Sequence, residues 1–440
     1  MDAGGAVTMA ATHADERPWA AAGIACRVPA CMARRSTSAA HDLGCDSKQS
    51  KGEAEDATPV PRGPRSTLAI ASVLAAMVLV VLDAAIANVA LPTIAASLHV
   101  TPAMSVWVIT AYQAALLMAL LPCAALGESL GYRRVFMAGI ALFTGASVLC
   151  ALSPSLPWLV AARFLQGLGG AGVMALGVAL LRVVVPHQRL GAAIGWNALA
   201  IALSSAAGPT LGAVILSGSS WPWLFAVNLP LGMLVLLATR ALPKTSGTAR
   251  RLDKFSVVLN AGAFAALIMG AELLPASPAP AAVLIAAAAF AIVALVRREL
   301  PKEAPLIPLD LLRAASFRIS VIASILCFSG VTAGMIALPF YLQHGLGAVA
   351  LWPLKGNLLP LIPLTMLCGL GFSLFNVANN RSMFLSAPKE RSGAAGGLQG
   401  SARLLGQTSG AVVMTLLFTL ALADAAPRIG LGIGAGSARG

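Results

Sequence analysis

The feature that most constrains this chain is a series of apolar segments that begins near Leu68, each about 18 to 27 residues long and separated by short polar breaks. About 20 helical residues are enough to cross the hydrocarbon core of a bilayer. The series therefore predicts an all-α polytopic membrane protein with about 11 transmembrane helices. Their predicted ranges are 68–90, 104–126, 134–152, 156–180, 190–216, 222–240, 255–274, 279–296, 317–341, 357–378 and 394–422.

The composition agrees with this class and excludes others. Of the 440 residues, 58% are hydrophobic and 11% are charged, whereas soluble domains carry about 25% charged residues. The formal net charge of +13 could suggest nucleic-acid binding, because excess Lys and Arg attract phosphate. The basic residues lie instead in short loops between apolar segments, as in the cytoplasmic loops of membrane proteins. No nucleic-acid partner is expected; the predicted environment is the lipid bilayer.

The distribution of basic residues also predicts the orientation. With a cytoplasmic amino terminus, the predicted inner loops hold fourteen Lys and Arg residues and the outer loops hold one, Lys355. This asymmetry fixes orientation through the positive-inside rule, and an odd number of spans places the carboxyl terminus outside. The expected location is the bacterial inner membrane. The inner residues are Arg133, Arg182, Arg189, Lys244, Arg250, Arg251, Lys254, Arg297, Arg298, Lys302, Arg313, Arg381, Lys389 and Arg391.

The two ends of the chain have a different character from the apolar series. Residues 1–65 are rich in Ala, Ser, Asp, Lys and Pro and show no sustained apolar period, so they are predicted to be a disordered cytoplasmic leader. Residues 424–440 are predicted to be a flexible tail.

The few ionisable residues within the predicted spans include Asp83, Arg163, Glu272 and Arg403. Because a charge in the membrane is costly, each is a candidate functional residue. Asp83 lies deepest, and burial favours the neutral form of a carboxyl group, so it could bind and release a proton; the alternative is a carboxyl group that only bonds a neighbouring helix. Arg163 could pair with a carboxylate or reach the outer interface. Glu272 and Arg403 lie near span ends and are predicted to be anchors.

Enzyme signatures are missing from the sequence. The five His residues do not cluster, and no HExxH, GxSxG or GxxxxGK[ST] motif occurs. The chain is therefore not expected to be an enzyme, and no cofactor or metal site is predicted. The fifth span carries Gly208, Pro209 and Gly212, where a proline and small residues favour a kink and close helix contact.

Five motifs, in order over about 150 residues, resemble the major facilitator superfamily, and most closely its drug:proton antiporter branch with fourteen spans. They are 82–92 (LDAAIANVALP), 127–134 (GESLGYRR), 163–169 (RFLQGLG), 208–212 (GPTLG) and 221–232 (WPWLFAVNLPLG).

The resemblance implies roles for particular residues. Asp83 would be the proton-coupling carboxylate, Arg163 its associated cation, and Gly208, Pro209 and Gly212 the antiporter hinge. Gly127, Glu128, Gly131, Arg133 and Arg134 would form the conformational motif between spans two and three. In that motif Glu128 replaces the usual Asp and Ser129 replaces an Arg, which predicts a weakened inter-helix ion pair. The substrate cavity would include Asn88, Trp107, Tyr112, Gln113, Gln166, Asn197 and Asn228.

The resemblance also implies a domain order. Residues 66–240 would form a complete amino-terminal six-helix bundle, 241–300 a linker with two extra transmembrane helices, and 301–423 a shortened carboxy-terminal bundle. In that bundle the family's tenth, eleventh and fourteenth helices are missing, with the join near 348–357.

The function implied is proton-coupled efflux of drugs or other amphipathic, often cationic, small molecules by a monomer, with the substrate and protons as partners. Two alternatives stay open. The chain could import a small metabolite, or it could be a degenerate partial transporter without activity.

Overall fold

The computed structural model describes residues 64–245, 247, 253–274, 277–302, 306–340, 361–388 and 391–433. Within these ranges every regular element is a helix, and none is a β-strand. The predicted leader lies almost entirely outside the described residues, and so does the predicted join near 348–357.

The amino-terminal half begins with one long helix and continues through shorter helices. Apart from two four-residue helices, each is long enough or apolar enough to form all or most of one predicted span. The helices are α1 (Pro64–Ser97), α2 (Pro102–Ser105), α3 (Trp107–Leu130), α4 (Tyr132–Ala151), α5 (Leu156–Val184), α6 (His187–Gly218), α7 (Trp223–Ala226) and α8 (Asn228–Ala238).

The remainder consists of two linker helices and the carboxy-terminal half. These helices are α9 (Lys254–Leu273), α10 (Pro278–Glu299), α11 (Leu309–Arg313), α12 (Ala315–Phe340), α13 (Leu361–Ser386) and α14 (Ser392–Ile433). In the described part of the chain, nine segments are long and apolar enough to cross a membrane, the last of them within α12. With α13 and α14 added, the helices correspond to the eleven predicted spans, which confirms the predicted fold class.

Several helices differ from their predicted extents. Helix α1 runs to Ser97 through Pro92, because a membrane helix tolerates proline where neighbouring groups satisfy the freed backbone. Helix α6 likewise continues through Pro209. Helix α14 extends to Ile433, so the first ten residues of the predicted flexible tail are helical and that part of the tail prediction is wrong.

Glycines on α5 permit close helix packing. A Cβ atom on Gly169 would lie 2.5 Å from the backbone nitrogen of Phe143 on α4, and one on Gly167 would overlap the backbone carbonyl of Tyr112 on α3. Small residues let helix backbones approach closely where lipid provides no hydrophobic driving force. Helix α5 is thereby fixed between α3 and α4.

Helix α14 contacts both halves of the protein through glycines. At its start, a Cβ atom on Gly397 would lie 2.8 Å from the Ala124 side chain of α3, and one on Gly396 would overlap the Ala175 carbonyl of α5. One Cβ on Gly406 would lie 2.6 Å from the Ile325 carbonyl of α12. Gly410, one helical turn further along α14, likewise packs on Ser329 of α12. At Gly195, by contrast, a Cβ would meet nothing within 4 Å.

Helix ends that the sequence places in the cytoplasm meet on one face of the protein. Arg182, near the end of α5, donates to Ser392 Oγ at 2.7 Å and to the Ala387 carbonyl at 3.0 Å, beside the start of α14. Arg133, at the start of α4, donates to the Arg240 carbonyl at 3.3 Å. This arrangement agrees with the alternation of inside and outside on which the predicted orientation depends.

We expect reporter fusions to place residues 241–253 in the cytoplasm and residues 219–222 outside, because basic loops are retained on the cytoplasmic side. A reporter fused to the carboxyl terminus should report an external position, since eleven spans separate it from the cytoplasmic leader. Alkaline phosphatase and fluorescent-protein fusions at the same sites give complementary signals. An internal carboxyl terminus would rule out the odd span number.

Candidate functional site

The most deeply buried acid in the amino-terminal half is Asp83 on α1, whose exposed fraction is 2%. Its Oδ2 accepts a hydrogen bond from Arg163 Nη1 at 2.6 Å. Its Oδ1 accepts from Gln166 Nε2 at 3.0 Å and from Asn228 Nδ2 at 2.5 Å. Helices α1, α5 and α8 are thus joined at one carboxylate, and three of the residues come from separate predicted motifs.

Arg163 is fully buried, with an exposed fraction of 0%, so the alternative in which it reaches the outer interface is wrong. Besides Asp83, it donates to Gln166 Oε1 at 2.6 Å and to the Val108 carbonyl at 3.4 Å. Its guanidinium carbon lies 4.5 Å from the ring centroid of Tyr112 and 5.3 Å from that of Phe225. Aromatic faces attract cations most strongly where water is excluded.

A second layer of polar groups holds Gln166 in place. Gln166 Nε2 also donates to Ser147 Oγ at 2.8 Å, and Cys150 Sγ donates weakly to Gln166 Oε1 at 3.6 Å. Sequence reasoning missed Ser147, because a serine in a membrane helix can bond its own helix. Ser147 does so as well, by donating to the Phe143 carbonyl at 2.9 Å.

A cavity of about 380 Å³ adjoins this network. Five residues predicted for the site line it: Asn88, Tyr112, Gln113, Arg163 and Pro209. Asp83 itself is not among the lining residues. Arg163 is therefore the group that borders the cavity on one side and the carboxylate on the other.

The remaining predicted cavity residues lie elsewhere. Gln166 and Asn228 belong to the Asp83 network. Trp107 is 40% exposed and is not among the residues that line the 380 Å³ cavity, so its place in the substrate cavity stays a prediction. Asn197 lines a small separate cavity of about 30 Å³ that it shares with Arg403.

Two charged residues predicted to be anchors instead face cavities. Glu272 lines a cavity of about 490 Å³ and accepts a hydrogen bond from Thr110 Oγ1 at 2.9 Å. Arg403 on α14 lines the 380 Å³ cavity. Their positions near predicted span ends gave no indication of this, because the cavity walls are completed by α9, α12 and α14, which are distant in sequence.

Gly208 and Gly212 position α6 against α1 beside the network. A Cβ atom on Gly208 would overlap the side chain of Ala85, and one on Gly212 would lie 3.4 Å from the Ile86 carbonyl. Ala85 is two residues beyond Asp83. The predicted hinge thus contacts the helix that carries the buried acid.

The predicted conformational motif connects the two halves of the protein. Glu128 Oε2 accepts from Arg391 Nη1 at 2.7 Å, and its Oε1 accepts from the Ala394 backbone nitrogen at 2.9 Å. Arg391 also binds both carboxylate oxygens of Asp310, at 3.0 and 2.9 Å. Ser129 stands where an Arg was expected, so one cation is missing from the motif. Glu128 nevertheless has a cationic partner, Arg391, which comes from the opposite half.

The turn of this motif depends on Gly131, whose φ of 95° lies in the region that glycine tolerates. A Cβ there would also overlap the Thr245 carbonyl. Thr245 also contacts the residues after the turn, because the Arg133 backbone nitrogen donates to Thr245 Oγ1 at 3.1 Å. Gly127 packs on Leu176, and Arg134 is exposed.

A separate charged cluster lies at the start of α9. Asp253 accepts from Lys302 Nζ at 2.7 Å and from Arg298 Nε at 3.1 Å. Hydrogen bonds hold the pKa of Asp253 well below its usual range, and the bond from Lys302 has the largest effect. Desolvation acts in the opposite direction. Asp253 therefore stays charged near neutral pH and cannot exchange protons there.

Comparison with known proteins identifies related sequences and folds. The profile of the Major Facilitator Superfamily matches residues 73–411. The Escherichia coli protein described as "Uncharacterized transporter YebQ" is 40% identical, covering 80% of this chain and 89% of its own length. The Tetracenomycin C resistance and export protein of Streptomyces glaucescens is 28% identical, covering 81% and 76%. The crystal structure of the human organic anion transporter MFSD10 shares the fold, with a TM-score of 0.51 and 14% identity over 80% of this chain and 94% of that one.

Each alignment with a bacterial relative has more positions than the number of residues of this chain that it covers. The first extends over 410 positions, whereas 80% of the 440 residues is about 352, so about 58 positions have no counterpart here. The second, over 412 positions and 81% of the chain, gives about 56. Such a total would be enough for two membrane helices with their loops; the loss of the tenth and eleventh helices stays a prediction.

Proposed function

Because the chain belongs to the Major Facilitator Superfamily, we propose that this multi-pass membrane transporter exports amphipathic small molecules from a bacterial cytoplasm in exchange for protons. Asp83 carries the proton and Arg163 links its protonation to the substrate cavity. The protein acts as a monomer in the inner membrane.

The observation that carries this proposal is the buried pair of Asp83 and Arg163, joined at 2.6 Å with both side chains 1% exposed. The pair is neutral as a unit. A proton on Asp83 would leave the Arg163 charge without its counterion, which is unfavourable away from water. Proton binding therefore requires Arg163 to shift or the surroundings to open, and this couples proton binding to conformation.

The position of Arg163 supports exchange between proton and substrate. Its guanidinium group lines the cavity, and Tyr112, which stacks against it, lines the same cavity. A substrate that displaces Arg163 from Asp83 would favour proton binding, and proton release would restore the pair. Binding of the two at linked sites is reciprocal by thermodynamic necessity.

The α6 contact supports a coupled movement of helices. Gly208 touches α1 beside Asp83, and Pro209 lines the cavity. A change of packing at this contact would alter the surroundings of Asp83 and the shape of the cavity. In secondary transporters, alternating access arises from rocking of one bundle against the other around a site near the midplane.

The substrate class is proposed as amphipathic because the cavity combines apolar walls with few polar groups, and because one relative is a resistance and export protein. The expectation of often cationic substrates stays a prediction, for which Glu272 would be the counterion. Import of a metabolite is less well supported, because the GPTLG motif at 208–212 resembles that of exporters. The degenerate-transporter alternative stays open, because about 58 positions in the alignment with the first bacterial relative have no counterpart in this chain.

Dye uptake into inside-out membrane vesicles tests the proposal. An imposed pH gradient, acidic inside, should drive a fluorescent amphipathic dye into vesicles that contain the protein, above the level of vesicles without it. A proton ionophore should abolish the difference. If the protein is present in the membrane and moves no amphipathic dye under any gradient, the degenerate-transporter alternative replaces the exporter.

A further inference from the structure

We infer that Arg403 is an anion-recognition residue of the substrate cavity, so that preferred substrates carry a carboxylate or similar anionic group on an apolar body. This inference rests on the proposed transport function and adds the substrate class. It does not require that the substrate lack a positive charge elsewhere.

Arg403 differs from the other partly or fully buried arginines in having no hydrogen-bond or ion-pair partner among the residues that the structure describes. Its guanidinium carbon lies 5.6 Å from the ring centroid of Phe328. Arg163 is paired with Asp83, and Arg391 is paired with Glu128 and Asp310. A guanidinium group has five N–H donors and no acceptor, so Arg403 has N–H donors available to bind an anion.

Among the residues that the structure describes, no acid lines the cavity around Arg403. Two arginines line its 380 Å³, Arg163 and Arg403, and no Asp or Glu is among the described lining residues. The charge of Arg163 is balanced by Asp83 behind it, whereas the charge of Arg403 is not balanced. The cavity therefore carries one net positive charge, which favours an anionic group in a site of low dielectric constant.

Further donors line the same cavity. Gln407 follows Arg403 by one helical turn and lines the cavity as well. Tyr112 and Gln113 contribute from α3. The guanidinium group provides two parallel donors to a carboxylate, and Gln407 can donate to an anion held there.

The backbone that carries Arg403 is held on both sides. Gly400 packs on Leu120 of α3, where a Cβ would lie 3.0 Å away, and Gly406 packs on the Ile325 carbonyl of α12. A charged side chain without a counterion is energetically costly between closely packed membrane helices. Such a residue therefore indicates a function. An anionic substrate supplies the missing counterion.

Equilibrium binding to purified protein in phosphatidylcholine nanodiscs tests the inference independently of transport. The probes are a rhodamine that bears a free carboxylate and its methyl ester, which differ only at that group. Wild-type protein should bind the carboxylate about 10- to 100-fold more tightly, the range expected for hydrogen bonds to a charged group. Arg403→Gln should remove the preference by weakening carboxylate binding while ester binding stays nearly unchanged.

Two further variants separate recognition from general damage. Arg403→Lys keeps the charge but not the paired donors, and should keep part of the preference. Arg318→Gln removes the same charge from an exposed position on α12 and should behave as wild type. The inference is overturned if wild-type protein shows no preference for the carboxylate, or if Arg403→Gln weakens both dyes equally. If the preference is present but neither dye is moved by a pH gradient, the transport proposal fails while anion recognition stands.

Discussion

In the Asp83→Asn variant we expect dye uptake driven by a pH gradient to fall to the level of vesicles that lack the protein. Asparagine has nearly the same size as aspartate and can still accept from Gln166 and Asn228, but it cannot bind a proton near neutral pH. A carrier that binds no proton cannot draw on the proton gradient, whatever its magnitude.

The structure allows loss of coupling to be distinguished from loss of the site. Because Asp83 does not line the 380 Å³ cavity, Asp83→Asn should still bind dye, and dye-for-dye exchange across the membrane should continue. The measurement compares gradient-driven uptake with exchange in the same vesicles, with the amount of membrane-inserted protein determined for each variant. A variant with the rate and pH dependence of the wild type would show that the proton is carried elsewhere.

The second large effect is expected at Arg163. Arg163→Gln should lower the thermal stability of the purified protein and its transport, because it leaves the Asp83 carboxylate buried without a counterion. Breaking one partner of a buried ion pair costs about 3–5 kcal/mol. Arg163→Lys should be intermediate, since one ammonium group cannot reproduce the contacts to Asp83, Gln166 and Val108 together.

The double variant Asp83→Asn/Arg163→Gln is the matched control. It removes both charges, so most of the stability lost in Arg163→Gln should return, whereas transport should not. The coupling free energy comes from the four unfolding free energies of this cycle. If the two substitutions were additive in stability, the ion pair at 2.6 Å would contribute nothing measurable, and a charge-neutral unit would be the wrong description.

Much of the Asp83 network was predictable from sequence. An acid in an apolar segment needs a partner that offsets the cost of its burial. Arg163, Gln166 and Asn228 belong to motifs of the same predicted six-helix bundle. The spacing of Arg163 and Gln166 places them on one face of a helix. Ser147 was not predictable, because serine is common in membrane helices and carries no charge that demands a partner.

The carboxy-terminal contributions to the site were not predictable. Glu272 and Arg403 lie close to span ends in sequence, and only the packing of α9 and α14 against α3 brings them to cavities. The pairing of Glu128 with Arg391 spans 263 residues, so no local pattern could indicate it. The end of α14 was misplaced because helix ends are the least certain feature of sequence prediction.

The proposal of proton exchange through Asp83 is tested most directly by counting protons in a weakly buffered solution of purified protein. Over part of a pH series, addition of a saturating amphipathic dye should change the number of bound protons in wild-type protein, by at most one per chain. The Asp83→Asn variant should bind the dye without any such change, because no other group in the network exchanges a proton. A dye-dependent proton change of the same size in both proteins, or its absence from wild-type protein with bound dye across the whole pH range, would contradict the account.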